Sequence, residues 1–559
     1  MPARLAWPVI LLLGLLQQAP ARPSEGDNFR ISGTAVDALS GGPLNGARVS
    51  VASVNAPRMT ASVLTQANGR FVFEHLEPGK YVLSARCKGY EEQMFQQHEN
   101  FRTAVVVGNN LDSENLVLRL FRGAAIAGQV TDEFSDAVRG AQVMLFREGI
   151  KDGKGSIRME RRGTTDDEGH YRFAGLQPGR YYLGVAAQPW YAEHNTPPAM
   201  QEGVNAASGA VVASSLQPIG EQNASLDVVY PVTYFPGEDD PAKASAISLQ
   251  PGERVTADLA LRPVPAVHVR LTAPGADFSQ PAGIRVARPT FDGQEVFVRP
   301  RVASKSKDYI EIAGIPPGRI IINLDLYVGV VSGKPRHSWR QEVDVSRHAE
   351  LNLNLTGVGG GGAVSGVVKA AGTASLPQPA AIAIHESESG ATLLAAVSKD
   401  GKFEFKNAAV KSGRYHVSLR NDSGFYVKSV RADGASVSGH GFEIRGAEPV
   451  RLVVEIAHGF GRVEGVALRD GKPAAGVMIL AVPNEGSQND PSLYQRDQSD
   501  SDGSFTIAQL PPGRYTIMAI ENGWAQEWAN PAVLKPWLSG GETIQVVPNG
   551  KYTTKVKVQ

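Results

Sequence analysis

The sequence contains a single cysteine, Cys87, so it cannot form an internal disulfide bond. An oxidising compartment would permit disulfides, but this fold must be stabilised by packing alone. Lys and Arg together number 56, as do Asp and Glu, so no net charge draws the chain towards nucleic acid. The composition therefore argues against a disulfide-stapled domain and against a nucleic-acid partner.

Long hydrophobic runs are also missing. Residues 9–16 are apolar, but they are too few to span a bilayer, which takes about 20 residues. They follow Arg4 and precede Ala19-Pro20-Ala21, a small-x-small pattern typical of a signal-peptidase site. We predict a secretory signal at residues 1–21, with a membrane anchor as the alternative. The protein is then exported, to the periplasm, the cell surface or the medium, with no integral membrane segment after signal cleavage.

Glycine and proline, by contrast, are abundant, at 60 and 36 residues, while 42% of the chain is hydrophobic. This composition predicts an all-β chain with many turns rather than disorder. Residues 164–183 read TTDDEGHYRFAGLQPGRYYL, in which turns at Gly169 and Gly179 separate alternating aromatic and apolar positions. Such alternation is the pattern of half-buried strands, and we predict a recurrent hairpin here.

The same pattern occurs five times, with the opening and turn glycines a similar distance apart in four copies: Gly33 and Gly79, Gly128 and Gly179, Gly366 and Gly413, Gly465 and Gly513. Half-buried strands need a second sheet to cover their apolar face. We therefore predict a tandem array of about five small antiparallel β-sandwich domains, arranged in series like beads. Their predicted limits are 27–121, 122–264 with a long insertion at about 186–241, 265–356 (degenerate), 363–457 and 458–559, with a glycine linker, residues 359–362, before the fourth.

The repeated motifs resemble the carboxypeptidase regulatory-like domain. The motifs are G-x-V, G-x-P-x-x-G-A-x-V, D-x-G-x-F/Y-x-F and L-x-P-G-x-Y, and they cover residues 27–559 except the third copy and the insertion. The resemblance extends to transthyretin-like (prealbumin/Ig-like), Cna B-type and starch-binding-like modules. It implies a β-sandwich fold and carbohydrate binding as a family property. The resemblance does not imply a catalytic domain.

Candidate chemical sites in the sequence are weak. His385-Glu386-Ser387-Glu388 matches H-x-x-E in letters but lies on a predicted strand without a third zinc ligand. Residues 357–362 match G-x-G-x-x-G but precede a strand, so they are interpreted as linker. Asp497, Asp500 and Asp502 suggest a calcium loop, although glutamines occupy two ligand positions and an acidic turn is favoured. We predict no enzyme, no metal and no cofactor.

Aromatic residues outside the repeated pattern are the remaining candidates for ligand contact. One group lies in the last copy and the other in the insertion: Trp524, Trp528 and Trp537, and Trp190, Tyr191, Tyr234 and Phe235. Exposed rings at these places would stack on sugars or hold a peptide, whereas buried rings would pack long loops.

The sequence thus predicts an exported, non-enzymatic, multi-domain binding or structural protein, with a carbohydrate or a cell-envelope protein as partner. A dedicated carbohydrate-binding protein that uses the Trp-rich loops is one alternative. A hydrolase with an unrecognised site is the second.

Overall fold

The computed structural model describes residues 29–56, 60–192, 211–212, 225–272, 277–279, 282–326, 337–352, 361–372, 375–387, 392–405, 410–411, 413–421, 424–445 and 448–559. The predicted signal, residues 1–21, lies outside them, as do residues 359–360 of the predicted glycine linker. The predicted fold class is confirmed, because strands assemble into pairs of sheets along the whole described chain.

Within its described residues, the first sandwich contains eight strands: β1 (Phe29–Asp37), β2 (Arg48–Ser53), β3 (Thr60–Leu64), β4 (Arg70–Leu76), β5 (Gly79–Arg86), β6 (Gln93–Met94), β7 (Val105–Val107) and β8 (Leu116–Leu120). One sheet has the order β4-β1-β8, and the other has the order β3-β2-β5-β6 with β7 beside β5. Alternate residues of these strands fill one core, to which Val49, Phe71 and Leu83 contribute.

The second sandwich and the segment after it contain β9 (Ala124–Thr131), β10 (Gln142–Lys151), β11 (Lys154–Thr164), β12 (His170–Leu176), β13 (Gly179–Ala186), β14 (Val211–Val212), β15 (Val228–Val229), β16 (Thr233–Tyr234), β17 (Ile247–Leu249), β18 (Arg254–Thr256), β19 (Leu259–Ala260) and β20 (Val264–Pro265). A short 3-10 helix spans Pro241–Lys243. The sheets have the orders β11-β10-β13-β16, with β17 on β13, and β12-β9-β18, with β19 on β9, while β15 pairs with β20.

The third sandwich contains β21 (Val267–Thr272), β22 (Ala282–Pro289), β23 (Glu295–Val298), β24 (Arg301–Lys305), β25 (Tyr309–Ile315), β26 (Gly318–Leu326), β27 (His337–Val345) and β28 (Ala349–Asn352), with a 3-10 helix at Phe291–Gly293. Its sheets have the orders β14-β22-β26-β27, with β23 on β22, and β24-β25-β21-β28. Strand β14 comes from the insertion of the second copy, so this insertion extends a sheet of the next sandwich.

The fourth sandwich contains β29 (Gly361–Gly362), β30 (Val364–Ala370), β31 (Ala380–Glu386), β32 (Thr392–Ala396), β33 (Lys402–Glu404), β34 (Val410–Lys411), β35 (Gly413–Asn421), β36 (Phe425–Asp433), β37 (Ser436–Ser438), β38 (Gly441–Ile444) and β39 (Val450–His458). Its main sheets have the orders β33-β30-β39-β36 and β32-β31-β35-β38-β37. The last two residues of the predicted linker form β29, which pairs with β34.

The fifth sandwich contains β40 (Gly461–Arg469), β41 (Lys472–Pro473), β42 (Met478–Pro483), β43 (Gln495–Gln498), β44 (Ser504–Leu510), β45 (Gly513–Ile520), β46 (Glu542–Val546) and β47 (Lys551–Lys557). Helix α1 (Pro531–Leu538) and three 3-10 helices (Glu485–Ser487, Pro491–Leu493 and Gly523–Ala525) lie between the strands. The sheets have the orders β41-β40-β44, with β47 on β40, and β43-β42-β45-β46.

The repeated glycine of the opening strand has a packing role. A Cβ atom on Gly33 would lie 2.2 Å from the carbonyl oxygen of Leu116 and 2.8 Å from the Phe71 ring. Gly366 and Gly465 meet a backbone carbonyl and a phenylalanine ring in the same way. In each of these sandwiches the last long strand lies parallel to the opening strand. Only glycine leaves room both for that strand and for the aromatic ring of the repeated motif.

The prediction of a recurrent hairpin at residues 164–183 is wrong. Strand β12 pairs with β9 in one sheet, while β13 pairs with β10 in the other. The two turns therefore carry the chain across the core. The first turn is still built as the sequence indicates, since Gly169 has φ +75° and the Asp166 carboxylate accepts hydrogen bonds from the backbone N–H groups of Glu168 and His170.

The expectation of separate beads in series is also wrong. Two hydrophobic clusters lie outside the five cores. In one of them Phe146 and Tyr234 of the second sandwich pack with Phe291 of the third. In the other Ile150 of the second sandwich packs against the fifth. Polar contacts also join residues about 400 positions apart, between the first and fifth sandwiches. Outer sheet faces are apolar at these places, and burying them against a neighbouring sandwich removes them from water.

Candidate functional site

The tryptophan-rich segment of the fifth sandwich covers a sheet. It follows β45, forms a 3-10 turn at Gly523–Ala525 and then helix α1, whose N-cap Asn530 accepts a hydrogen bond of 3.1 Å from the Ala532 N–H. Beneath it, all six residues of β42 are buried. A strand buried on both faces has a second layer above it, and here the Trp-rich segment supplies that layer.

The structure places the three predicted tryptophans in or beside this second layer. Trp528 is 9% exposed and belongs to a buried cluster with Met478, Leu480 and Leu534. Trp524 and Trp537 are half-buried and pack against the same cluster. Burial of this kind leaves little of the Trp528 ring face for stacking on a sugar at the surface.

Trp524 contacts the first sandwich. Its ring stacks on the imidazole of His98, with centroids 5.2 Å apart and planes within 5°, and lies 5.0 Å from the ring of Phe101. Its indole N–H donates to the carbonyl oxygen of Gly476 at 3.4 Å. The Trp524 ring, which was predicted to stack on a sugar if exposed, therefore packs against residues of the same chain.

Arg496 joins the same aromatic group from β43. Its guanidinium lies 4.1 Å from the centroid of the Trp528 ring and 5.7 Å from that of Trp524. It also donates to both carboxylate oxygens of Glu99, in the first sandwich, at 3.0 and 3.2 Å. The Arg496 side chain is only 13% exposed, so this pair is more strongly coupled than an ordinary surface ion pair.

A polar network continues this contact, which we call the first–fifth junction. Asp500 accepts from the Lys80 ammonium at 2.5 Å and from the Ala104 N–H at 2.9 Å. The Ser501 N–H donates to the Ala104 carbonyl at 2.9 Å, and the Ser501 hydroxyl accepts from the Val106 N–H at 2.8 Å. The edge of the first sandwich is thus hydrogen-bonded to a loop of the fifth.

The acidic residues that suggested a calcium loop are occupied by protein groups. Asp497 accepts from the Thr506 N–H at 2.7 Å, and Asp502 accepts from the Ser504 N–H at 2.9 Å. Asp500 belongs to the first–fifth junction. Within the described ranges, no group of three or more His, Cys, Asp or Glu side chains is arranged to hold a metal ion.

In the insertion, Trp190 and Tyr191 lie at the surface of the second sandwich. Trp190 is 76% exposed. Tyr191 donates a hydrogen bond to the Glu133 carboxylate, and Tyr230 donates to the same carboxylate at 2.6 Å. Burial raises the pKa of Glu133, but these two hydroxyls outweigh it and hold that pKa below its usual value. Burial and Glu133 together raise the pKa of Tyr191 to about 12, so Tyr191 is a fixed, neutral donor.

Phe134 completes an exposed aromatic patch with Trp190 and Tyr191. Phe134 is 66% exposed, and its ring centroid lies 6.3 Å from that of Tyr191. The Trp190 ring stands edge-on to Tyr191 at 5.7 Å. Sequence reasoning missed Phe134, although a phenylalanine within the polar turn Asp132-Glu133-Phe134-Ser135 was a visible signal.

The other two predicted residues of the insertion lie away from this patch. Tyr234 is 1% exposed, and its ring meets the Phe291 ring of the third sandwich edge-on at 5.5 Å. Phe235 is half-buried and packs against the core of the second sandwich. Tyr234 therefore has no surface to offer to an external ligand.

A histidine–carboxylate pair lies between the fourth and fifth sandwiches. Asp490 of the fifth is 2.9 Å from Nδ1 of His440. Burial raises the pKa of Asp490, but the hydrogen bond from His440 outweighs it and lowers that pKa. The nearby Ser492 hydroxyl donates to Asp490 at 2.6 Å and is not bonded to the histidine, so this group is not arranged as a serine nucleophile with its base. His385 of the H-x-x-E match lies on β31 and bonds to Thr392 and Ser418.

Across the described ranges, no helix has both the length and the apolar character needed to cross a membrane.

Comparison with known proteins gives three kinds of result. No curated protein matches the sequence. Solved structures with similar segments include the minor pilin of Streptococcus agalactiae (13% identity, 42% of this chain and 96% of that one, TM-score 0.20). They also include the TIE protein of Bacillus anthracis (11%, 96% and 76%, 0.16) and the major pilin subunit of Bacillus cereus (10%, 78% and 99%, 0.13). TM-scores this low support no functional inference.

The family model of the carboxypeptidase regulatory-like domain matches the chain twice, at residues 30–112 and 125–214. These ranges hold the motifs on which the resemblance was based, in the first and second sandwiches. The resemblance to this family is therefore confirmed for these two segments of the chain.

Proposed function

We propose that this chain is an exported, non-enzymatic protein whose β-sandwich domains form one fastened scaffold. We also propose that its domains have the limits predicted above. The observation that carries the function is the use of Trp524 and Arg496 of the last copy to fasten the first sandwich to the fifth. Side chains committed to such contacts stabilise a shape and are not available to process a substrate.

Turnover assays test the non-enzymatic role. Purified protein is expected to leave a panel of peptides and glycosides unchanged, with and without a metal chelator. The positive control for each substrate is a hydrolase of matching specificity. Turnover that copurifies with the chain and disappears in an Asp490→Asn variant would contradict the proposal and support a hydrolase.

A second candidate function, carbohydrate binding, is favoured by one observation. The exposed aromatic patch presents Trp190 and Phe134 to solvent, and the hydrogen bond to Glu133 fixes Tyr191 between them. Exposed rings held rigid are suited to stacking on sugar faces. The cell-envelope or extracellular glycan that would be bound is part of this proposal.

Glycan-array binding tests this candidate. A Trp190→Ala, Phe134→Ala double variant should lose the binding shown by the wild-type chain. The matched control is Leu39→Ala, since Leu39 is 72% exposed but lies on the first sandwich. Undiminished binding by the double variant, or an array that shows no binding by the wild type, would eliminate the patch as a sugar site.

A further inference from the structure

A cavity of about 430 Å³ lies where four sandwiches meet, and we call it the central cavity. The tip of the β10–β11 hairpin enters from the second sandwich, where Asp152 and Gly153 have φ +49° and +82°. Asp292 comes from the third sandwich, β31 and β35 line the cavity from the fourth, and Trp528 lines it from the fifth. Its volume lies in the range of small-molecule sites, and sites of this kind often form between domains.

The hairpin is fixed in this position by the fifth sandwich. The Ala529 N–H donates to the Gly153 carbonyl at 3.1 Å, and the Gly155 N–H donates to the Glu527 carboxylate at 2.9 Å. A Cβ atom on Gly153 would lie 2.2 Å from the Cβ of Ala529, so the contact is close. The central cavity is therefore a built feature of the assembly, with walls held by hydrogen bonds.

Unpartnered polar atoms are concentrated around the central cavity. In the described part of the chain, six buried side-chain nitrogen or oxygen atoms have no hydrogen-bond partner. Four of the six belong to residues that line this cavity: Ser156, Ser387, His416 and Trp528. His416 Nδ1 lies 3.8 Å from the Asp490 carboxylate, which is beyond hydrogen-bond distance. Each buried group without a partner costs about 1–3 kcal/mol, so these four atoms leave hydrogen-bonding capacity in the cavity wall that a bound molecule can use.

The charged groups around the central cavity favour an anion. Four basic residues line it, Lys151, Lys154, Arg158 and Arg420, against three acids, Asp152, Asp292 and Glu386. Asp292 already accepts a hydrogen bond from the backbone N–H of Ile157.

The histidines do not add to this positive charge at neutral pH. Burial lowers the pKa of both His385 and His416. The remaining lining groups are an indole N–H and serine hydroxyls, and these bind hydroxyl and oxyanion oxygens.

We propose that the central cavity binds a small hydroxylated oxyanion, of the sugar-acid or sugar-phosphate class. The cationic side chains hold the oxyanion, and the serine, histidine and indole groups hydrogen-bond the hydroxyls. These groups belong to the second, fourth and fifth sandwiches, so the bound ligand also locks the arrangement of those three. This proposal goes beyond the scaffold function. A binding measurement tests it, whereas turnover assays test the scaffold function, so the two can fail independently.

Calorimetric titration of the full chain with three probes tests this proposal. D-Glucuronate and glucose 6-phosphate carry the two oxyanions, and glucose carries none. We expect at least one anion to bind about tenfold or more tightly than glucose, and the tighter anion identifies the group recognised. Equal affinity for glucose, or no binding of either anion, would overturn the proposal.

Two variants place the binding in the central cavity. Arg420 is exposed, so Arg420→Gln should fold normally and weaken anion binding about tenfold. Trp528→Phe keeps an aromatic ring but removes the unpartnered N–H, and we expect a loss of about threefold to tenfold. The matched control is Trp524→Phe, whose indole bonds to Gly476 away from the cavity. If Trp524→Phe weakened binding as much as Trp528→Phe, or if Arg420→Gln bound normally, the site would not be this cavity.

Discussion

The first–fifth junction and the central cavity are two contacts between sandwiches with opposite polar chemistry. In the junction, Asp500, Ser501 and Gln498 each bond to groups of the first sandwich, at distances from 2.5 to 3.1 Å. None of the six unpartnered buried atoms found in the described ranges belongs to a residue that makes these bonds, whereas four belong to residues of the cavity wall.

This difference separates two uses of a domain contact. A junction with matched donors and acceptors is complete as it stands, so its residues contribute to stability. A wall that leaves buried groups without partners loses free energy that a bound molecule can restore. Substitutions at the junction should therefore lower the free energy of unfolding, whereas substitutions in the wall of the empty cavity should change it little.

The largest effect is expected from Arg496→Ala. The substitution removes both hydrogen bonds to Glu99 and the contacts with two tryptophan rings. Hydrogen exchange of the Ala104 and Val106 amides, whose N–H groups bond to the fifth sandwich, measures opening of the junction directly. We expect about 100-fold faster exchange, which corresponds to about 3 kcal/mol.

Arg30→Ala is the matched control for Arg496→Ala. Arg30 also makes two hydrogen bonds to one glutamate, Glu114, but its side chain is 54% exposed and both residues belong to the first sandwich. An exposed pair of this kind contributes about 1 kcal/mol or less, so exchange at Ala104 and Val106 should change little. Equal effects of the two substitutions would show that Arg496 does not hold the junction.

Sequence reasoning reached the fold because its signals are local. The turn at Gly169, the alternation of Tyr171 and Phe173 and the small residue at Gly128 each reflect one strand and its neighbour. It did not show that successive strands lie in different sheets, because alternation specifies a buried face but not a pairing partner. The pairing was therefore predicted as a hairpin.

The candidate sites were reached only in part, because their partners are distant in sequence. The three tryptophans of the last copy were identified. Their partners were not, because His98, which stacks on Trp524, and Glu99, which accepts from Arg496, lie about 400 residues earlier. The cavity hairpin was missed, although Asp152-Gly153 is a strong two-residue hairpin signal. No pattern within one copy specifies which outer face another copy will cover.

The second effect concerns the pH dependence of stability and Asp497, a half-buried acid beside the junction. Burial raises the pKa of Asp497 from an ordinary value of 3.8 to about 6. The native state therefore binds a proton more tightly than the unfolded chain, and stability falls as the pH rises from about 4 to about 6. Asp497→Asn keeps an oxygen for the Thr506 N–H and removes the charge. We expect a gain of about 2 kcal/mol at pH 7.5 in denaturant unfolding, and no gain below pH 4.

Asp37→Asn is the control, because its expected effect on stability at pH 7.5 has the opposite sign. The backbone N–H of Ser40, then the Tyr90 hydroxyl, hold the pKa of Asp37 far below its usual value. The charged form is thus favoured by folding, so this substitution should destabilise the chain at pH 7.5, with a loss that shrinks as the pH falls below 4. A pH-independent effect of Asp497→Asn would mean that its carboxylate is not strained by burial.

The smallest effect is expected at the cavity wall, from Ser387→Ala. The Ser387 hydroxyl is buried without a partner, so its removal costs no hydrogen bond and relieves a desolvation penalty. We expect a change within about 0.5 kcal/mol in the free energy of unfolding without ligand. Ser499→Ala in the fifth sandwich is the matched case, because the Ser499 hydroxyl donates to the Ala474 carbonyl at 2.7 Å and accepts from the Val477 N–H at 2.9 Å. It should cost about 2 kcal/mol, since it leaves two buried groups unpaired. If Ser387→Ala proved as costly as Ser499→Ala, the cavity wall would be as complete as the junction, and the distinction between the two contacts would fail.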